Sequence, residues 1–202
     1  MPGQRHQISP RPDGRRGIGS GLTAHVTGHV SVMRVLAPSR RRETKRRWPA
    51  YALAAAAVTT TAVTGARAVD PHSAWYETLS KPPWQPPSWA FGAVWTPLYG
   101  SIAFAAGHAA NRTGGGERRR LVGALAANLA LNASWSWLFF TARSPRTGLV
   151  GTALLTLSTL DVLRVTARVD RTAAAALIPY AAWCAFATTL NADIVRRNGG
   201  CR

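Results

Sequence analysis

Five apolar segments, each close to 20 residues long, constrain this chain more than any other feature. They contain no charged side chain except Asp161 in the fourth, if histidine is counted as neutral. A helix needs about 20 apolar residues to cross the hydrocarbon core of a bilayer, and these segments lack the polar face of a soluble amphipathic helix. We therefore predict an all-α membrane protein, a bundle of five transmembrane helices with short loops. The segments are residues 48–66, 88–110, 121–142, 147–163 and 172–192.

The connection between the first two segments is rich in proline and tryptophan. Four of the eight tryptophans and five of the 13 prolines fall in WYETLSKPPWQPPSWAFGAVWTPLYG, residues 75–100. Proline fixes φ and lacks an N–H donor, so KPPWQPP is predicted to form neither a helix nor a paired strand, but a stiff polyproline-like connector. Stiffness reduces the entropy lost when side chains are held in place. We expect a lid that holds Trp75, Tyr76 and Trp84 over one end of the bundle.

The distribution of charge favours a membrane protein over a nucleic-acid-binding one. Although the net charge is +17, residues 1–47 hold eleven of the 25 lysines and arginines, and the rest fall mostly between long uncharged runs. We interpret residues 1–47, rich in Gly, Pro, Ser and Arg, as a disordered basic tail. The positive-inside rule then places the N-terminus in the cytoplasm and the C-terminal tail, 199–202, outside. No nucleic-acid partner is expected.

The N-terminal region leaves two alternatives open. Met1 and Met33 are both plausible start positions. The basic region, the alanine-rich core and ARA at 66–68 also resemble a secretory signal peptide with cleavage after Ala68. Cleavage there would leave four helices instead of five.

The apolar segments offer little acid–base or metal chemistry. Asp161 is the only acid well inside one of them, which disfavours a transporter with an acidic proton relay. Cys184 and Cys201 show no metal-binding spacing with histidine. His108 lies near a helix end, where an interfacial position is more common than haem ligation. We predict no metal site and no cofactor.

The remaining chemistry is aromatic. Helical spacing predicts three sets of residues, each on one face of its helix and made up mostly of aromatic and asparagine side chains. Such faces either pack together or line a cavity for a large, flat, mostly apolar molecule bound by stacking. Asn128 and Asn132 would need partners from neighbouring helices or from a ligand. The sets are Phe91, Trp95, Tyr99 and Ile102; Asn128, Asn132, Trp135 and Phe139; and Tyr180, Trp183, Ala187 and Asn191.

Four motifs in this chain resemble, in order and spacing, the TspO/MBR family of tryptophan-rich sensory proteins and translocator proteins. The resemblance covers about 48–198 and implies that 48–66 is a retained helix of a five-helix transmembrane domain. It further implies a homodimer in a membrane, here a bacterial cell membrane, with a pocket for tetrapyrroles such as porphyrin or haem, as ligand rather than cofactor. The motifs are WYETLSKPPWQPP, FGAVWTPLYGSIAFAA, LNASWSWLFF and IPYAAWCAFATTLN.

The resemblance also implies a set of ligand-binding residues, taken from the lid and the second, third and fifth segments. Two positions depart from the family. Ala192 stands where the sterol-recognition pattern of animal members has an aromatic residue, so sterol binding is not expected. Gly151 stands where many members have an acidic residue. The implied ligand-binding residues are Tyr76, Trp95, Tyr99, Asn132, Trp135, Trp183 and Ala187.

Three functions fit these features. The first is a membrane receptor or carrier that binds tetrapyrroles and has a sensory or stress-linked role. The second is an enzyme that degrades porphyrin in light, using Trp95 and Trp183, which match tryptophans linked to that reaction in bacterial relatives. The third is a structural protein in which the aromatic residues only pack.

Overall fold

The computed structural model describes residues 47–199, which are helical and contain no strand. The tail predicted for 1–47, apart from Arg47, lies outside the described residues, as do Met33 and Cys201. Five long helices, one short helix and one π-helical turn make up the described chain. They are α1 (Trp48–Ala66), α2 (Ala74–Thr78), α3 (Ser88–Ala110), α4 (Gly115–Ser136), the π turn (Trp137–Thr141), α5 (Pro145–Val169) and α6 (Arg171–Asn198).

The first two predicted segments have the same bounds as α1 and α3, whereas the fourth and fifth are shorter than α5 and α6. The third segment is as long as α4 but begins later and extends through the π turn. α4 starts at Gly115, ahead of the predicted segment, and so includes Glu117 and three arginines. α5 and α6 likewise continue into charged turns. An uncharged run marks only the part of a helix that avoids charge, while backbone hydrogen bonding continues into the solvated turns.

The five long helices form a closed ring. α1 packs against α3 and α4, α5 packs against α4 and α6, and α3 packs against α6. Successive long helices run in opposite directions, so α1, α4 and α6 all end beside the connector, residues 67–87. We call this the connector end of the ring. The ring order places α3, α4 and α6 around a common interior.

Two hydrogen bonds join the connector to the end of α6. The Ser80 N–H donates to Asn198 Oδ1 at 3.0 Å, and Asn198 Nδ2 donates to the Ser80 carbonyl at 3.0 Å. The five-helix prediction requires the connector and the C-terminal end of the helices to lie on the same side, and this pair joins them at one end of the ring. The connector is also non-helical over residues 81–87, as its prolines predict.

The opposite end of the ring is held by a polar cluster around Asp170, which caps α6. Its carboxylate accepts hydrogen bonds from the Ala173 N–H at 2.7 Å and from Arg112 Nε at 2.9 Å. His108 Nε2 lies 3.6 Å from the same carboxylate, and His108 Nδ1 lies 2.9 Å from the Tyr51 hydroxyl. The Ala173 N–H, followed by the charges of Arg112 and His108, lowers the pKa of Asp170 despite partial burial. His108 therefore lies at a helix end and joins α1, α3 and α6.

Large apolar side chains point outward from every long helix. A soluble protein of this size rarely leaves so much apolar surface uncovered, whereas lipid is a suitable environment for it. Among the described residues two helices, α5 and α6, are long and apolar enough by composition to cross a membrane. The exposed side chains include Leu53, Val63, Trp89, Phe104, Val122, Leu154, Leu157 and Ile178.

Gly107 permits the close approach of α3 to α1. A Cβ atom at this position would lie 2.8 Å from the Cα of Tyr51, closer than atoms can pack. The Tyr51 hydroxyl can then reach His108 on the next residue of α3. By contrast, Gly100 in the same helix has no atom within 4 Å of its Cβ position.

We expect Gly107→Ala to lower the free energy of unfolding by about 1–3 kcal/mol, because the new methyl group overpacks the contact with the α1 backbone. Thermal unfolding of the purified protein in detergent measures the change. Gly100→Ala is the matched control and should leave stability unchanged or slightly raised, since alanine is the better helix former. Equal melting temperatures for the two variants would contradict the close approach.

Candidate ligand-binding cavity

A cavity of about 570 Å³ lies inside the ring at the connector end. This volume is within the usual range for small-molecule sites. Its walls come from the last turns of α1, the start of α3, the end of α4 with the π turn, the start of α5 and the second half of α6. The connector contributes Val69, Pro71, Tyr76 and Gln85. The sequence positions are far apart, and the antiparallel ring brings them together.

Three tryptophans on three helices line this cavity: Trp95 on α3, Trp135 on α4 and Trp183 on α6. Each is braced by another ring. Trp95 stacks on Tyr99 at 5.1 Å between centroids, and Trp183 stacks on Phe186, also at 5.1 Å. Trp135 stacks on Phe139 at 5.6 Å. Aromatic pairs in this geometry hold each other in place, so the cavity presents several pre-positioned flat surfaces.

The π turn supplies two further rings. An extra residue per turn at the end of α4 brings Phe139 and Phe140 to the cavity together. Thr147 Oγ1 donates to the Leu138 carbonyl at 2.8 Å, which satisfies one of the backbone acceptors that the turn leaves free. π-helical turns often occur at functional sites. The sequence placed Phe139 on the face of α4 but gave no signal for Phe140.

The connector covers the cavity through Tyr76. Its ring lies 5.5 Å from Phe140 and its hydroxyl accepts a hydrogen bond from Gln85 Nε2 at 3.0 Å. Burial raises the pKa of the Tyr76 phenol, partly offset by the bond from Gln85, so the group stays protonated at neutral pH. Lys81 Nζ lies 4.2 Å from the centre of the same ring.

Two connector tryptophans differ from the sequence expectation. Trp75 packs edge-on against Phe139 at 5.5 Å, and Trp84 packs edge-on against Phe186 at 5.7 Å. Neither lines the cavity. They support the rings behind the cavity wall, and Trp84 remains partly exposed. The connector therefore lines the cavity with Val69, Pro71, Tyr76 and Gln85 and not with its tryptophans.

A buried hydrogen-bond network forms the inner end of the cavity. The Tyr180 hydroxyl donates to Asn128 Oδ1 at 3.0 Å and accepts from Asn132 Nδ2 at 3.3 Å. The Tyr99 hydroxyl donates to Asn132 Oδ1 at 3.0 Å, and Asn128 Nδ2 donates to Thr159 Oγ1 at 2.9 Å. These five residues join α3, α4, α5 and α6. The partners that the sequence required for the two asparagines come from neighbouring helices.

Every residue of the predicted site lines this one cavity. Asn132 differs in role, because both of its amide atoms are engaged by Tyr99 and Tyr180 and it acts as part of the inner wall. Ala187 supplies a small surface between Trp183 and Asn191 on α6. The residues brought together are Tyr76, Trp95, Tyr99, Asn132, Trp135, Trp183 and Ala187.

Sequence reasoning missed several polar residues of the site, among them Gln85 and Asn191. Asn191 was placed on the correct face of α6, and Gln85 is the one uncharged polar side chain within KPPWQPP, but neither pattern by itself indicates a ligand contact. The amide oxygen of each is buried and has no hydrogen-bond partner among residues 47–199. The indole N–H of Trp135 is likewise buried without a partner among these residues.

The two positions that depart from the family resemblance lie beyond the cavity wall. Ala192 is exposed on α6. Gly151 on α5 lies behind Trp135, and a Cβ there would be 3.2 Å from Trp135 Cδ1. The lack of a side chain at Gly151 therefore leaves room for the indole to rest on α5.

We expect Tyr180→Phe to destabilise the protein by about 1–3 kcal/mol, because it strips one partner from each of two buried amides. Thermal unfolding in detergent measures the loss. Thr60→Val is the control, since the Thr60 hydroxyl is exposed and bonds only within its own helix, to the Ala56 carbonyl. If Tyr180→Phe and the wild type have the same melting temperature, the network does not hold the helices together.

Comparison with known proteins supports the resemblance drawn from the four motifs. The family model of the TspO/MBR family matches residues 50–197. The chain is 37% identical over 130 residues to human "Translocator protein", covering 63% of this chain and 77% of that protein. It is 38% identical over 130 residues to "Tryptophan-rich protein TspO" of Chlorobaculum tepidum, covering 63% of this chain and 82% of the other.

A further relative is "Tryptophan-rich sensory protein" of Cereibacter sphaeroides, 33% identical over 124 residues, with 61% of this chain and 77% of that protein covered. The matched region of the family model includes all five long helices almost completely and the whole of the cavity. The chain is therefore a membrane protein that belongs to the TspO/MBR family.

Proposed function

We propose that this protein is an integral membrane receptor or carrier that binds tetrapyrroles, porphyrin or haem, in the cavity at the connector end and has a sensory or stress-linked role. The observation that carries the proposal is the convergence of Trp95, Trp135 and Trp183 on one cavity of about 570 Å³. Flat aromatic surfaces bind flat conjugated ligands by stacking. The family resemblance implies tetrapyrroles, and one relative's name contains the words "sensory protein".

The proposed placement has all five long helices crossing the bilayer, with the connector as a lid on the outer side. The ring of antiparallel helices and their outward apolar side chains support five spans. Seven arginines lie at the end opposite the connector, and α1, which residues 1–47 with their eleven lysines and arginines precede in the chain, begins at this end. The positive-inside rule puts that end in the cytoplasm. The arginines are Arg112, Arg118, Arg119, Arg120, Arg164, Arg168 and Arg171.

We further propose a homodimer in the membrane, as the resemblance implies. Gly123 and Ala127 lie on an exposed part of α4, and nothing lies within 4 Å of the Gly123 Cβ position. Small residues on a lipid-facing surface permit close packing of a second helix.

Trp95→Ala and Trp183→Ala should each weaken the binding of protoporphyrin IX by about 1–3 kcal/mol, the range for loss of an aromatic stacking partner. Phenylalanine at either position should retain much of the affinity because it keeps a flat apolar face. Titration of the purified protein, followed by tryptophan fluorescence and porphyrin absorbance, measures the affinities.

Trp89→Ala is the matched control, because Trp89 lies on the same helix as Trp95 but is 75% exposed and outside the cavity. Its replacement should leave binding unchanged. Equal affinity of the Trp89, Trp95 and Trp183 alanine variants would remove the support for the site, and the aromatic residues would then be packing alone.

A second candidate function is the light-dependent degradation of porphyrin. The observation that favours it is that the indoles of both Trp95 and Trp183 line the same cavity, so a bound macrocycle would contact both. Under illumination the porphyrin absorbance band should disappear faster with the protein than without it. Trp95→Phe and Trp183→Phe should abolish this loss while retaining binding, because the reaction would require indole redox chemistry. If the absorbance band of protein-bound porphyrin is stable under illumination, the protein does not have this activity.

A further inference from the structure

The cavity opens on one side of the ring. Of the described residues that line it, the exposed ones all belong to the end of α1, the first residues after it, or the start of α3. The lining residues of α4, the π turn, α5 and α6 are buried or half-buried. The opening therefore lies between α1 and α3, and we call it the lateral mouth. Its exposed residues are Ala66, Val69, Ser88, Gly92 and Thr96.

The lateral mouth exists because α1 and α3 separate toward the connector end. Helical spacing puts Gly92 and Thr96 near the face of α3 that carries Gly107. At Gly107 this face touches α1, since a Cβ there would lie 2.8 Å from the Cα of Tyr51. At Gly92 no atom of the described chain lies within 4 Å of the Cβ position. The two helices thus meet at the far end and leave a gap beside the cavity.

The residues of the lateral mouth are uncharged, and Val69 is the largest of them. Thr96 already donates its hydroxyl to the Gly92 carbonyl at 3.0 Å, so it needs no partner from the surroundings. The bulky neighbours Phe91 and Trp95 turn away and pack edge-on against rings of α6. Small neutral side chains can face lipid without the cost of burying charge, and they fill little of the gap.

The connector closes the end of the cavity by several contacts. Ser80 is paired with Asn198 through two hydrogen bonds at 3.0 Å. Trp75 and Trp84 pack edge-on against rings of the π turn and α6. A ligand that entered under the connector would have to break these contacts, whereas passage through the lateral mouth breaks none of them.

The lateral mouth lies along the side of the helices, which faces lipid in the proposed placement. Trp89, next to Ser88, is 75% exposed, as is typical of tryptophan at the headgroup level. At a rise of 1.5 Å per residue, Gly92 and Thr96 lie about 6 and 12 Å further along the helix axis than Ser88. The mouth therefore extends from the headgroups into the hydrocarbon of the leaflet on the connector side.

We propose that the ligand enters and leaves the cavity through the lateral mouth, from the leaflet on the connector side. The ligand is then an amphiphile that dissolves in the bilayer before it is bound, with its flat apolar part in the hydrocarbon and its polar edge at the headgroups. This inference rests on the proposed tetrapyrrole-binding function and membrane placement, and it defines the phase from which the site takes its ligand.

The test measures the rates at which protoporphyrin IX binds to and leaves the full chain in detergent micelles, followed by tryptophan fluorescence after rapid mixing. Gly92→Phe should slow association and dissociation alike, each by about tenfold, and leave the Kd nearly unchanged, because its ring narrows the path but not the site. Ala66→Phe should have the same effect from the α1 side. Gly100→Phe is the matched control, since Gly100 is exposed on the same helix, has equal room at its Cβ position and does not line the cavity.

A cross-linked connector separates the two routes. Ser80→Cys and Asn198→Cys are combined in a Cys201→Ser background, and the two new thiols are joined by a short bifunctional reagent. The Ser80 backbone and the Asn198 side chain are already in contact, so the link holds the connector where it lies. Both rates should equal those of the same protein before cross-linking, because the connector does not have to move.

The outcomes separate this inference from the proposed function. If the wild type does not bind protoporphyrin IX at equilibrium, the proposed function itself fails. If it binds, but Gly92→Phe and Ala66→Phe exchange the porphyrin as fast as Gly100→Phe does, the lateral mouth is not the route while porphyrin binding stands. The same conclusion follows if the cross-link slows exchange, or if Gly92→Phe raises only the dissociation rate. Slower exchange in both mouth variants, with no effect of the cross-link, supports entry from the bilayer.

Discussion

The structure depends most on the hydrogen bonds of one hydroxyl group, that of Tyr180. It connects the amides of Asn128 and Asn132 in an apolar interior, where no water competes and an unpaired amide is costly. Through Tyr99 and Thr159 the same network reaches α3 and α5. Side-chain packing alone leaves apolar helices free to slide, because one alkyl contact is much like another. Directional bonds fix their register, and the register decides which rings face the cavity.

The connector complements this network at the other end of the cavity. Its prolines keep it out of a helix, and its position is set by the paired bonds between Ser80 and Asn198 and by the edge contacts of Trp75 and Trp84. These tryptophans are therefore structural. The connector residues that line the cavity are Val69, Pro71, Tyr76 and Gln85. The cavity therefore has a hydrogen-bonded inner end and is covered at its other end by the connector.

Apart from Asp161 within α5, the charged side chains lie toward the two ends of the ring. Arginines and the Asp170 cluster occupy one end, and charged connector and terminal residues occupy the other, while the cavity between them is lined by neutral groups. This separation serves the membrane, because charges stay where water and headgroups reach them.

The sequence by itself determined the helices and much of the site. The uncharged runs predicted α1 and α3 with their bounds, since the hydropathy of a segment depends only on its own residues. Helical spacing placed Trp95 with Tyr99, and Trp183 with Ala187, on shared helix faces. The four motifs predicted the family, which the match over residues 50–197 confirmed. The predicted segment for α4 began too late, and those for α5 and α6 were too short, because a helix extends beyond its uncharged part.

Only the tertiary structure decided which polar groups are satisfied and which remain free. Asn132 and Asn191 have the same side chain and both lie on inward faces, yet the first is bonded on both amide atoms and the second keeps a free oxygen. The same holds for the three connector aromatics, of which Tyr76 alone reaches the cavity. Hydrogen bonding depends on the distance and angle between atoms far apart in the chain. Residue type and spacing fix the face on which a side chain lies, whereas helix packing fixes its partner.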